Sequence, residues 1–233
     1  MKNRFLIFLV IFYQILFLNK IFAKDIVFDA SDIEVTDNQN LTIANNGIAE
    51  IKDDGIILEG VKIKYFKDQS LIIVNEGKVE KIDINLKIAS NTIEYNLEDK
   101  KINFTGEVRI DDKRNNLIIF SDKISYEINN QKIFSEDSTK IIDEFNNIYE
   151  VSEFEYHTKN KIIKLANTKV FDRNKNTFDL EIAYLDLYKK EIVAKDIGLN
   201  FKISENSENE PRLKGRSLVS NLENTTIKKG TFT

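Results

Sequence analysis

The chain has 233 residues but no cysteine and no tryptophan, a single proline, a single methionine, a single histidine and only 8 glycines. Without cysteine there is no disulfide scaffold, thiolate metal site or cysteine nucleophile within the chain. With His157 as its sole histidine, most hydrolase and zinc-site arrangements are excluded as well. The near-absence of proline, set beside frequent Ile, Val, Tyr and Phe, favours long uninterrupted strands over a loop-rich enzyme. What is present is enough for a core. A content of 42% hydrophobic and 31% charged residues argues against global disorder and fits one compact domain or one extended single-layer domain.

Long hydrophobic runs are missing too, apart from Phe5 to Leu18, which follows Lys2 and Arg4 and is softened only by Tyr13 and Gln14. The segment closes with Asn19-Lys20-Ile21-Phe22-Ala23, so residues 1–23 read as a signal peptide cut after Ala23. The alternative is a retained membrane anchor, although a spanning helix needs roughly 20 apolar residues. Either way the rest of the chain is extracytoplasmic. Cleavage removes Lys2, Arg4 and Lys20 and no acid, which deepens the net charge of −4 and makes nucleic acid an unsuitable partner. The charges alternate in sign along the chain, as on solvated strand faces.

The remaining sequence repeats with a period near 30 residues. Tyr65, Tyr95, Tyr126 and Tyr156 recur at spacings of 30, 31 and 30, each ending an apolar/polar alternation such as Ile63-Lys-Tyr65 or Ile93-Glu-Tyr95. A second alternating run follows each aromatic: Leu71-Ile-Ile73, Ile102-Asn-Phe104, Ile133-Phe134 and Ile162-Ile-Lys-Leu165. Between the runs lie charged turn formers, for example Lys67-Asp-Gln-Ser70 and Thr158-Lys-Asn-Lys161. Gly47, Gly77 and Gly106 follow the second runs, with Asp137 and Asn167 at the next equivalent places, so each repeat reads as a hairpin followed by a reversal. About six hairpins, with looser units at residues 28–51 and 177–197, carry the repeat to residue 203. No helical periodicity appears after the leader. The expected fold class is all-β and antiparallel.

Alternation over so many strands makes one face apolar and the other wet, so the sheet must fold over on itself with its apolar faces inward. The interior stripe then contains Ile63, Tyr65, Ile73, Ile93, Tyr95, Ile102, Phe104, Ile119, Ile124, Tyr126, Ile133, Phe154, Tyr156 and Ile162. These side chains either pack a core or line a gap that admits an apolar ligand, and alternation alone does not choose. His157 falls on the outward phase of its strand. The acidic pairs Asp53-Asp54, Asp111-Asp112 and Asp143-Glu144 fall at turns without calcium-ligand spacing and read as solvated. No catalytic residue, metal ligand or cofactor is expected. Residues 204–210 are polar and read as a linker.

The unit formed by apolar-x-Tyr, charged turn, apolar-x-apolar and Gly-x-Val resembles the OstA-like repeat of lipopolysaccharide transport proteins, carried by Ile63-Lys-Tyr65, Ile93-Glu-Tyr95, Gly77-Lys-Val79 and Gly106-Glu-Val108. Pro211-Arg-Leu-Lys-Gly-Arg-Ser217 and Thr225 to Thr233 resemble the segment that joins the periplasmic jellyroll of the LptD-type lipopolysaccharide-assembly family to its outer-membrane barrel. In that family a cysteine and a long barrel follow, so the resemblance implies that this chain is the N-terminal periplasmic part. It further implies a V-shaped β-jellyroll over residues 24–203, a non-enzymatic role receiving lipopolysaccharide on the interior stripe, and residues 204–233 leading toward a barrel. Location would be the periplasm, associated with the outer membrane. Partners would be lipopolysaccharide, an LptA-like jellyroll docking on the N-terminal edge at Ile26, Ile33 and Val35, and an LptE-like lipoprotein where a barrel is present. Alternatives are a free LptA-like or anchored LptC-like bridge protein, and a surface β-solenoid or adhesin. Arg212, Lys214 and Arg216 are candidates for meeting lipid phosphates.

Overall fold

The computed structural model describes residues 25–173, 175–200, 211–221 and 223–232; the leader 1–23 and the linker 204–210 lie outside them. The described chain is an antiparallel meander of β1 (Ile26–Thr36), β2 (Leu41–Ile51), β3 (Ile56–Phe66), β4 (Leu71–Lys81), β5 (Leu86–Asn96), β6 (Lys101–Asp112) and β7 (Leu117–Glu127). It continues through β8 (Lys132–Ser135), β9 (Thr139–Ile142), β10 (Ile148–Val151), β11 (Glu153–His157), β12 (Ile162–Phe171), β13 (Thr177–Asp186), β14 (Glu191–Asn200), β15 (Arg212–Ser220), β16 (Thr225–Lys228) and β17 (Thr231–Phe232). β8 with β9, and β10 with β11, are two strand-lengths each broken in the middle, since β7 pairs with both β8 and β9 and β12 pairs with both β10 and β11. Every strand-length therefore pairs with its neighbours in sequence.

Each long strand is creased near its centre. Ladder pairing skips one position there, as between Ala30↔Gly47 and Asp32↔Asn45, or two at the bulge of β6, and the skipped residues of alternate strands are left-handed: Asn46, Glu76, Glu107, Asn167 and Asp196, with φ between 47° and 50°. The skip shifts the alternation by one, so β2 buries Ala44 and then Gly47, Ala49 and Ile51, and the apolar face stays inward on both sides of the bend. Small residues make the bend possible. Ala30, Gly47, Gly60, Gly77 and Ser90 pair in one row across five strands, and a Cβ on Gly60 would lie 2.2 Å from Val74 Cγ1. The repeat glycines thus mark mid-strand creases, not the chain reversals read from sequence. The reversals lie elsewhere, in the 3-10 turns Lys52–Asp54 and Ile82–Ile84.

The turns fall into two rims. One rim carries residues 37–40, 67–70, 97–100, 128–131, 158–161 and 187–190; the opposite rim carries 52–55, 82–85, 113–116, 143–147, and 172–173 with 175–176. The first is shaped by side-chain acceptors, as where Asn96 Oδ1 takes the N–H groups of Glu98 and Asp99 at 2.9 and 3.0 Å and Lys100 closes the turn with a positive φ. The sheet also runs past residue 203, because β15 pairs along β14 from Asn200↔Arg212 to Ile192↔Ser220.

Candidate functional site

Folding at the crease brings the two halves of each strand face to face, with the interior between them. On the half nearest the first rim a continuous row runs Val35, Thr42, Tyr65, Ile72, Tyr95, Ile102, Tyr126, Ile133, Tyr156, Ile163, Leu185 and Ile192, each opposite the next across the ladder. On the other half a second row runs from Phe28 through Ala49, Leu58, Val79, Ile88, Ile110, Ile119, Ile141, Tyr149 and Val170. The layers meet: the Phe28 and Tyr65 rings, one from each half, stand 6.3 Å apart.

Most of the residues read as interior from sequence lie there. Ile63, Ile93, Tyr95, Ile102, Phe104, Ile119, Ile124, Tyr126, Ile133, Phe154 and Tyr156 are buried, and Tyr65 is half-buried near the β1 edge. Ile73 and Ile162 do not. Ile73 lies opposite Lys64 and Glu94, and Ile162 opposite His157 and Asp186, while Ile72, Val74, Ile163 and Leu165 take the inward places. Runs such as Leu71-Ile-Ile-Val74 are apolar at every position, so local alternation cannot set their phase. Of the second layer, from Leu58 to Val170, only Ile119 is read from the sequence, because the crease resets the phase; the residues after each left-handed position carry the signal.

Where the two rims come together the interior is closed by polar contacts. Tyr95, near the first rim, donates its hydroxyl to Asp54 on the opposite rim, and Lys100 forms an ion pair with the same carboxylate. Lys81 Nζ adds a 2.7 Å bond to the Asp54 carbonyl. Tyr156 donates to Asp112 Oδ2 at 2.5 Å and accepts from Asn115 Nδ2 at 2.8 Å. Further along, Lys190 reaches Glu144 Oε1 at 3.0 Å and lies over the Phe145 ring. Asp54 and Asp112, expected to be solvated, are buried, because the fold-over places each turn acid under a tyrosine 41 and 44 residues away in sequence.

The rung between them is different. In the next repeat Ile84 stands where Asp54 and Asn115 stand, and the Tyr126 hydroxyl is buried without a hydrogen-bond partner. Burial first, and then the charge of Asp83, push the Tyr126 phenol up to about 12. Burial, followed by the Asp54 contact for Tyr95 and the Asp112 charge for Tyr156, pushes those two phenols further up still.

Edges complete the site. Among the described residues β1 pairs only with β2, and its inward residues Ile33 and Val35 are 44% and 55% exposed although the rows they continue become buried further inboard, from Ala44 in one and Ile72 in the other. Ile26 is half-buried against the core. Arg212, Lys214 and Arg216 sit on the exposed phase of β15, away from the interior. His157 is on the outer face with Nε2 3.9 Å from Glu155 Oε2. Among the described residues no cluster of three or more His, Cys, Asp or Glu side chains could hold a metal ion.

Comparison with known proteins gives these features a context. Among solved structures, the periplasmic component LptH from Pseudomonas aeruginosa, described as the LptA homologue of the conserved lipopolysaccharide transport device, is 14% identical, with 61% of this chain and 82% of that chain covered and a TM-score of 0.26. No curated protein matches. The family described as "Lipopolysaccharide-assembly, LptC-related" matches over residues 5–169, from the apolar leader through seven tenths of the sheet-forming sequence up to β12. That span exceeds half of the sequence, and the chain belongs to the LptC-related lipopolysaccharide-assembly family.

Proposed function

We propose that this protein is an LptC-like member of the periplasmic lipopolysaccharide bridge, held at the membrane by its leader, taking lipid acyl chains into the folded interior and passing them to an LptA-like jellyroll docked on β1. The observation that carries the reading is the uncovered end of the interior. Ile33 and Val35 extend two inward-facing rows to the edge strand β1, so a second sheet added there continues both the hydrogen-bond ladder and the apolar lining. Acyl chains supply the driving force, at about 0.8 kcal/mol for each methylene removed from water. The family match takes in the apolar run from Phe5, which supports a retained anchor. The segment from Pro211 that resembles a connector to a barrel forms strand β15 of the same sheet, and the LptC-related family match favours a bridge protein over an LptD-type one. The interior stripe, read with Ile72, Val74, Ile163 and Leu165 in place of Ile73 and Ile162, is the lipid-facing surface.

Site-specific photocrosslinking in cells tests both halves of this reading. A photoreactive residue at Val35 captures a partner jellyroll, one at Tyr65 captures lipopolysaccharide, and one at outward Glu94 captures neither. Lipid captured from Glu94 as efficiently as from Tyr65 would overturn the interior reading. Partner capture confined to positions in β4 to β6 would overturn the edge. Intact mass and membrane fractionation decide the anchor: residues 1–23 retained in the inner membrane support it, and a chain beginning at Lys24 at the outer membrane refutes it.

A further inference from the structure

The interior that would carry lipid is closed from β3 to β6. Ile63, Ile93, Tyr95, Ile102 and Phe104 have no exposed surface, so a chain moving through must first part the two layers. The layers are joined covalently at the crease in every strand, whereas at the opposite side the rims meet only through side chains. Those contacts follow the repeat: Asp54 with Tyr95 and Lys100, Asn115 with Tyr156, and Glu144 with Lys190, each joining residues 41 to 46 positions apart on opposite rims. They also weaken along the sheet. The first is a buried cluster around one carboxylate, whereas the Glu144–Lys190 pair is partly exposed, at 29% and 40%. Between the first two contacts the Tyr126 rung makes no bond across the seam.

Beside the Glu144–Lys190 contact the seam gapes. A cleft of about 460 Å³ lies between the rims. Most of its lining is polar, but one wall is apolar, formed by Phe145, Tyr149, Leu185, Leu187 and Ile192, and Leu185 and Ile192 belong to the interior row that runs back to Val35. The cleft is therefore a place where the buried apolar lining reaches the surface sideways, far from the β1 edge.

We infer that the seam is a lateral door, hinged at the crease, through which acyl chains of a lipid enter the interior at the cleft beside Leu185, Leu187 and Ile192, with the Glu144–Lys190 contact as its outermost latch. This inference rests on the lipid-carrying reading above. Entry sideways lets the sugar and phosphate portion remain in water while only hydrocarbon passes between the layers, so no polar headgroup is desolvated in transit. Fixing the rims together lowers the fraction of molecules competent to load.

Because the chain has no cysteine, the door can be locked at chosen points. Glu144→Cys with Lys190→Cys, joined in the full-length chain by a reducible bis-thiol linker, staples the two rims. Ser70→Cys with Glu98→Cys, whose native side chains meet at 3.0 Å on the first rim alone, is the control staple. Uptake of fluorescent rough lipopolysaccharide is followed before and after reduction. The cross-seam staple is expected to slow uptake by about tenfold or more, the rate returning when the same molecules are reduced, while the control staple leaves it at the unstapled rate. Uptake at the unstapled rate with the seam locked, or equal slowing by both staples, would overturn the door and leave lipid to load from the edge. An unstapled chain that takes up no lipopolysaccharide overturns the carrier reading, and the door with it.

Discussion

Two rungs of the seam, one repeat apart, share a backbone and differ in chemistry. At the first, the Tyr95 hydroxyl finds Asp54, and Lys100 and Lys81 complete the shell. At the second, Tyr126 occupies the same inward row, opposite Ile102 and Ile133, but Ile84 replaces the polar turn residue and the hydroxyl stays bare. The 30-residue repeat thus conserves where a tyrosine points and not what it meets. The lesson is that the aromatic body holds the fold while the polar tip decides how firmly the rims are joined.

The widest separation between the rungs should appear on deleting Asp54. Asp54→Ala strands the Tyr95 hydroxyl and a Lys100 side chain that is only 20% exposed, and is expected to cost about 3–5 kcal/mol in urea unfolding. A loss below about 1 kcal/mol, the range of exposed pairs, would mean that the cluster is effectively solvated and the comparison empty.

The two rungs also respond differently to alkali. A phenol whose folded pKa lies above its unfolded value keeps its proton longer in the native state. The stability it contributes is complete below 10.0 and declines as pH rises toward about 12 for Tyr126. Over that window the share of Tyr126 is about 1.4 kcal/mol per pH unit. Tyr126→Phe should remove this share of the alkaline slope without loss of stability at neutral pH, because no hydrogen bond is broken. A Tyr126→Phe variant with an unchanged slope between pH 10 and 12 would show that its hydroxyl is not desolvated.

The smallest effect would convert one rung into the other. Ile84→Asn supplies the amide that Asn115 presents to Tyr156 in the next repeat, at the expense of partly buried apolar surface. The net change is near zero, so the informative quantity is the coupling in a double-mutant cycle with Tyr126→Phe, expected at about 1 kcal/mol. Zero coupling would show that the two side chains do not meet across the seam.

Much of the fold was legible because its signals are local. The tyrosine spacing located the strands, and Lys67 to Ser70 and Thr158 to Lys161 located turns of one rim. The interior stripe was legible wherever polar residues separate the apolar ones, as in Ile93-Glu-Tyr95 and Ile102-Asn-Phe104. It failed at Ile73, which sits in the unbroken apolar run Leu71 to Val74, and at Ile162, whose neighbour Ile163 is equally apolar and takes the inward place. The seam was not legible, since pairing Asp54 with Tyr95 requires knowing that each strand bends back at residues such as Asn46 and Glu76. Nothing in a single repeat distinguishes a turn aspartate that meets water from one that meets a tyrosine.

The meander has a further consequence for how the chain reaches this state. Since every described strand-length pairs, among the described residues, only with its sequence neighbours, the ladder behaves as a one-dimensional array in which each hairpin can form beside one already in place. Loop-closure entropy is small at every step along the sheet, and the separations of 41 to 46 residues are confined to the seam. Assembly by zippering of hairpins followed by closure across the rims then makes the seam the last part to form. By the same ordering it is the first part to come undone under load.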